Sequence, residues 1–530
     1  MKDQKDQSKW YKNKGYPHLT NSYNLTVHNK SLEKKIKDSD FVARYAFFPL
    51  FHINIKSRRY KAVEVENNGI KKIVKTHSYW EDDKKKSTAK LRPLHYANHL
   101  DAMIFGYYSE ILQENYEKEL KGFPKLDKAV TAYRKIPTKE NPVKHKSNIH
   151  FAKEVFDEIK KRGEKSEVAV LAFDIKSFFS NLNHKILYDV WCDNLGKEKL
   201  PSDHYNVFKA ATNFSFINKD QFRVKPPSKK SRKSGFDEKR LAKIRNKHGV
   251  NAFFESAKAF RDAIKKGEVR IYKNPFKVNG DMVGIPQGLP ISATLANIYL
   301  KNFDLDILKR LEKNKGFYRR YSDDIIVICE KHEREEIEKF VLDCIKKYGV
   351  KISEDKTEKF IFKNAELHNK KRFVSHEIDC EELNINKPLT YLGFEYYGYQ
   401  TLIKSANLAK FYRRMIYAVR TKAKRAKKIA EKHPGDKPVI FKNQLIRLYT
   451  KQDLDDKKSP RKRRFKTLKQ IETGEYRVHS IKKNNYQNSG NYFSYVKRAS
   501  KIMEAPEILD QVNGDKAKKV FNQALERYLK

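Results

Sequence analysis

The stretch FYRRYSDDIIVICE, residues 317–330, constrains the fold more than any other. Its second half is apolar without alternation, which suits a strand covered on both faces, and the turn before it sets Asp323 and Asp324 side by side. A second buried run, SEVAVLAFD at 166–174, also ends in a carboxylate, Asp174. If the two strands pair, the carboxylates meet at one sheet end. Aspartates packed together repel unless divalent cations neutralise them, and hard oxygen ligands beside phosphate favour magnesium. Taken alone, an Asp-Asp pair is more often a plain turn.

The balance of charge names the partner class. The chain of 530 residues carries 114 Lys+Arg against 66 Asp+Glu, a net charge of +48, for which the natural counter-charge is a polyanion. Its 30 Tyr and 32 Phe give it the means to bury a core, which excludes global disorder. Cys192, Cys329, Cys344 and Cys380 are far apart, with no paired spacing for zinc, and read as buried thiols of a reducing compartment. The N-terminus is too polar for a secretory leader, and FVARYAFFPLFHI is too short and too interrupted to span a bilayer. A cytoplasmic protein without a membrane partner is expected.

Residues 1–90 show no clean period. A helix is predicted after the Arg92-Pro93 turn, a short strand over KAVTAYRKIP, and a capped amphipathic helix over SNIHFAKEVFDEIKKRG. KPPSKKSRKSGFDEKRLAKIRNKHG has the composition of a basic insertion or exposed loop. MVGIPQGLPISATLANIYL reads as a Gly-Pro turn feeding a long helix, and LTYLGFEYYGY as a hairpin. From Ser405 a long basic helix runs to Pro434-Gly435, and the remainder is basic and mostly helical by pattern.

These segments, in this order, resemble the motifs of reverse transcriptases. FDIKSFFSN is similar to motif A, GIPQGLPISATLANIYL to motif B, YSDD to motif C, and EDKTE to motif D. AYRKIP resembles the fingers motif and YLGFEYYG the primer grip. The resemblance covers roughly residues 91–400. It implies an α+β right-hand polymerase with a ferredoxin-like palm, fingers, and a helical thumb or C-terminal region. The corresponding layout is an N-terminal extension (1–90), fingers (91–165), palm with motif A (166–200), a basic insertion (201–280), palm with motifs B, C and D (281–363), a primer-grip hairpin region (364–404) and a basic helical thumb or C-terminal domain (405–530).

The resemblance also assigns roles. Asp174 and Asp323 are the principal metal ligands, Asp324 a third carboxylate, and the Ile175 carbonyl completes one shell around two Mg2+ ions, with Mn2+ as the substitute. Arg134 and Lys135 take the triphosphate, Gln287 and Gly288 line the dNTP pocket, and Leu392 and Gly393 grip the primer. Lys356 is the candidate proton donor to pyrophosphate. Phe179 is the aromatic that leaves no room for a 2′-hydroxyl, so dNTPs and a DNA product follow; its alternative role is core packing beside Phe178. The expected partner is RNA, as template and as a dedicated non-coding RNA, and a homo-oligomer is allowed. Within the family, the basic helical C-terminus without a nuclease motif resembles bacterial defence enzymes of the abortive-infection and unknown-group type. The alternatives are a group II intron-like mobile-element enzyme or an inactive nucleic-acid-binding scaffold. Tyr486, Tyr492 and Tyr495 are candidate protein primers, with base stacking or core packing as the plainer use.

Overall fold

The run VAVLAFD sits inside a six-stranded antiparallel sheet whose order is Phe317–Tyr321, Asp324–Glu330, Val168–Asp174, Glu358–Leu367, Lys370–Asp379, Glu382–Ile385. The computed structural model describes residues 10–529 apart from 13, 24, 26–28, 58–60, 68–69, 82–83, 225–235, 380–381, 434, 436, 450–463, 470–475, 482–490 and 513. The chain forms two units, the first made of 1–133, 175–309 and 341–352, the second of 134–174, 310–340 and 353–530.

The sheet belongs to the second unit. Helix Asn148–Gly163 covers it because Ile149, Ala152, Val155, Phe156 and Ile159 recur at helical spacing, and all five share one core with Val168, Val170, Ile326, Ile328, Phe360 and Phe362. Ser147 and His150 close a capping box that starts this helix. Beyond the sheet, Leu389–Tyr391, Phe394–Tyr396 and Thr401–Ile403 form a small antiparallel sheet that leads into helix Ser405–Ala430. That helix buries Phe411, Met415, Val419 and Ala423, one residue per turn, and shares a core with helix Gly514–Leu529.

The first unit has its own sheet, ordered Lys90–Tyr96, Leu50–Ser57, Ser215–Asn218, Tyr272–Lys273. Helices His99–Lys121, His184–Leu195 and Ser292–Tyr299 pack on one another in this unit. Among the described residues, no helix is long and apolar enough to cross a membrane. Cys192, Cys329 and Cys344 are buried and unbridged, and Cys380 lies outside the described residues.

Several local expectations are corrected. Leu91–Tyr96 is strand rather than helix, and the helix begins at His99, behind the Asn98 cap. KAVTAYRKIP forms no strand; Arg134 and Lys135 follow a short helix, Pro124–Ala129, in irregular backbone. The helix after the Gly-Pro turn breaks in two at Leu300. Within 1–90, helices Asn29–Lys37 and Ser39–Arg44 precede strand Leu50–Ser57, and the C-terminal region includes a ladder of Arg464–Lys469 with Tyr476–Ile481.

Phe394 is fully buried in the second unit's core and Ile385 is 54% exposed. Phe394→Ala should cost about 3–5 kcal/mol and Ile385→Ala under about 0.5 kcal/mol, read as shifts in the denaturant midpoint.

Candidate active site

Strand register brings the carboxylates together. Asp324 is the Cα partner of Asp174, and inward from them Ile325 faces Phe173, Ile326 faces Ala172 and Val327 faces Leu171. A slip of one residue would turn these buried chains to the opposite face, so the apolar pattern itself fixes which carboxylates meet. The turn between Tyr321 and Asp324 is two residues long, with Ser322 at φ +62°, the left-handed geometry of tight hairpins. Arg320, fully buried, donates to the Ser322 carbonyl at 3.3 Å and holds the turn from within.

Asp174, Asp324, Lys356, Glu358, Leu392, Gly393 and Lys404 line one cavity of about 300 Å³ in the second unit. Burial is the main cause that raises the Asp324 pKa to about 7, followed by the charges of Asp323 and Asp174; Lys404 and Lys356 pull it back. Burial also raises the pKa of Glu358, against Lys404. The Lys356 ammonium donates to Asp174, whose carbonyl accepts from the Ser353 N–H at 2.8 Å.

Among the described residues, no three His, Cys, Asp or Glu side chains converge into a closed metal cage. Magnesium rarely needs one, since it binds through one or two carboxylates and takes its other oxygens from water and phosphate. A half-buried Asp324 burdened by two neighbouring carboxylates, with an ammonium drawn onto Asp174, is a donor set that a hard dication fits.

Leu392 and Gly393, expected to grip the primer, sit at the tip of the small hairpin. Leu392 at φ +45° and Gly393 at φ +94° make a turn with two left-handed residues, and the Gly393 carbonyl accepts from the Lys404 N–H at 3.0 Å. Lys404 and Glu358 were not singled out by the sequence. Glu358 lies inside EDKTE, and Lys404 directly precedes the long basic helix; only the folded sheet shows that both line the cavity.

Of the residues expected at the nucleotide pocket, Phe179, Gln287 and Gly288 lie in the first unit. Phe178 is buried and Phe179 half-buried, so the core role falls to Phe178. The Phe179 carbonyl accepts from the Ile285 N–H at 2.8 Å, and the Gly284 N–H donates to Leu182 at 2.7 Å, which straps the motif A turn to the motif B loop. Gln287 is exposed, and its carbonyl accepts from the His95 N–H at 2.8 Å. Gly288 has φ +115°, and a Cβ there would stand 2.4 Å from the His95 carbonyl, so no other residue fits. Ile175, next in the chain after Asp174, bridges to Ile352 within the first unit. Arg134 is half-buried and Lys135 exposed, both in the second unit.

Tyr492 packs against the core, the plainer of its expected uses. Tyr492 stacks on Phe411 at 4.4 Å with a 17° tilt, its hydroxyl is buried, and burial raises its pKa to about 12. Tyr495 packs against the same core, and Tyr486 lies outside the described residues.

A central strand carrying one carboxylate, flanked by a hairpin that carries two more, is the palm of a right-hand polymerase. Residues 233–396 match the family described as "Reverse transcriptase (RNA-dependent DNA polymerase)". The matched segment contains the stretches that resemble motifs B, C and D and the Leu392-Gly393 turn, while Asp174 lies outside it. Over those residues the chain is similar to a reverse transcriptase domain, and its helices and antiparallel sheets are of the α+β class. No curated protein matches its sequence. Among solved structures it is similar to apo telomerase from Candida tropicalis truncated from its C-terminal domain, with TM-score 0.34, 12% identity, and 73% of this chain and 64% of that chain covered. It is also similar to Candida albicans telomerase in complex with a TWJ fragment of telomeric RNA, with TM-score 0.32, 11% identity, and 72% and 49% covered. The chain thus spans less than two thirds of either length, and overlaps this loose carry no argument of their own.

Because Asp324 has a raised folded pKa, its protonated form favours the fold. Stability from this group is present below the unfolded value near 3.8 and is lost as pH rises through about 7. Magnesium should therefore raise the melting temperature more at pH 8 than at pH 5, and Asp324→Asn should flatten that difference in a thermal-shift series.

Proposed function

We propose that the chain is an active reverse transcriptase, copying RNA into DNA from dNTPs. The observation that carries this reading is the register that sets Asp174 opposite Asp324 in one cavity with Lys356 and Lys404. An inactive scaffold has no use for buried carboxylates whose mutual repulsion must be offset. In the reaction, the oxygen of a 3′-hydroxyl attacks the α-phosphorus of the incoming nucleotide, and the bond to the β-phosphate breaks to release pyrophosphate. Divalent cations held by Asp174, Asp323 and Asp324, with the Ile175 carbonyl, would activate that hydroxyl and neutralise the leaving group.

The remaining work falls to side chains. Lys356 would give a proton to the departing pyrophosphate, a role supported by its contact with Asp174. Arg134 and Lys135 supply a guanidinium fork and an ammonium for the triphosphate. Phe179 is the wall against a 2′-hydroxyl, a role supported by its half-buried position beside the buried Phe178. Gln287 and Gly288 border the nucleotide, where the absence of a side chain at Gly288 keeps the loop close to His95. Leu392 and Gly393 hold the primer end.

The cellular role we propose is bacterial antiphage defence with a dedicated non-coding RNA, in the cytoplasm. Its support is the resemblance of the basic, helical C-terminal region to defence enzymes. The buried hydroxyl of Tyr492 favours priming by a nucleic-acid 3′-hydroxyl over priming by that tyrosine.

The deciding experiment is primer extension on an RNA template by the Asp323→Asn, Asp324→Asn double variant. Incorporation should fall by at least about a thousandfold, the scale of losing charge stabilisation at the reacting centre, while the circular dichroism spectrum is kept. Full activity in that variant would falsify the reading.

Phe179→Ala should raise the ratio of ribonucleotide to deoxyribonucleotide kcat/KM by about tenfold or more, the scale of one removed steric contact. An unmoved ratio places the sugar gate at another residue.

A further inference from the structure

Residues 201–280 lie between the stretches that resemble motif A and motif B. Within the first unit they open a cavity of about 300 Å³ lined by Phe222, Phe253, Phe254, Arg223, Arg240 and Glu268. Phe222 stacks on Phe253 at 4.8 Å with a 24° tilt and meets Phe254 edge-on at 5.8 Å. Three cations lie over this aromatic cluster. Arg240 stands 5.5 Å from the Phe254 ring centre, Arg223 4.7 Å from Phe236, and Lys219 5.0 Å from Phe236 and 4.9 Å from Tyr96. Such contacts occur about once per 70–80 residues, so their concentration between 219 and 240 marks a surface that sets positive charge beside ring faces.

That pairing of rings and guanidinium groups is how single strands are held, with bases on rings and phosphates on cations. The volume lies at the lower bound of small-molecule pockets, too small for a duplex and enough for one nucleotide unit. Arg223 is partly spent on Asp220, at 2.7 Å, which leaves the exposed Arg240 as the phosphate partner. Glu268 is also exposed, and its carboxylate accepts from a base that offers an amino group, which cytosine does and uracil does not. We propose that this cavity binds one unstacked nucleotide of a single strand, with its base against Phe222, its phosphate on Arg240 and its amino group on Glu268. The inference rests on the reading that the chain handles nucleic acid, and it is independent of catalysis.

The test is photo-crosslinking of the full chain to ten-nucleotide RNAs carrying 5-iodocytidine or 5-iodouridine, with the linked peptide mapped by mass spectrometry. The cytidine strand should crosslink at Phe222 in preference to the uridine strand. Arg240→Ala should cut that crosslink about fivefold or more, as loss of about 1 kcal/mol of contact does. Glu268→Gln should remove the preference, and both variants should keep wild-type primer extension and melting temperature. A crosslink mapped only to other segments, one unchanged in both variants, or one abolished by micromolar free cytidine monophosphate would overturn the proposal. Failure of the wild-type chain to extend a primer in the same preparation would sink the polymerase reading and leave the crosslink result standing.

Discussion

Everything at the active site depends on one strand being paired on both sides. Val168–Asp174 takes the Asp324 strand on one edge and the Glu358 strand on the other, both antiparallel. Because each neighbour is held by seven or five consecutive partner positions and by a shared core, the strand end cannot shift without moving buried Phe, Ile and Val side chains. The carboxylates are thereby anchored on a strand paired along both edges within the second unit's core. The charged residues around the cavity enter from that frame: Asp174 and Asp324 from the paired strands, Glu358 from the far neighbour, and Lys404 from the joint before the long helix.

Electrostatics then sets a tension that the apolar frame sustains. Burial and two carboxylate neighbours disfavour an ionised Asp324, while Lys356 and Lys404 favour it. The two lysines act as counter-charges to the paired carboxylates. The buried Arg320 plays a different part, since it holds the backbone of the turn that carries Asp323.

The sequence made the palm legible and the periphery less so, for physical reasons. The two buried runs have a composition that only a covered strand satisfies, so Asp174, Asp323 and Asp324 stood out with their structural setting. Pro93 misled because proline usually argues against a strand, yet Lys90–Tyr96 is an edge strand, where a missing N–H costs little. KAVTAYRKIP has strand-like composition, but Ala129 closes a short helix, and Val130 and Ala132 are buried in the irregular backbone after it. Lys404 and Glu358 were hidden because their importance comes from long-range pairing that leaves no local pattern. For Tyr492, composition left priming and packing both open, whereas stacking on Phe411 is a tertiary fact.

The Pro93 strand has a consequence for how the protein can be dissected. Residues 50–57 pair with 90–96 on one side and with 215–218 on the other, and the His95 N–H holds the carbonyl of Gln287. A cut at residue 90, where the motif pattern begins, would pass through the middle of a sheet. It would strip Lys90–Tyr96 of its strand partner and loosen the backbone against which Gly288 is pressed. The amino-terminal region thus behaves as scaffolding for the Gln287–Gly288 loop, and shortening it for expression or crystallisation would be felt in that loop's backbone.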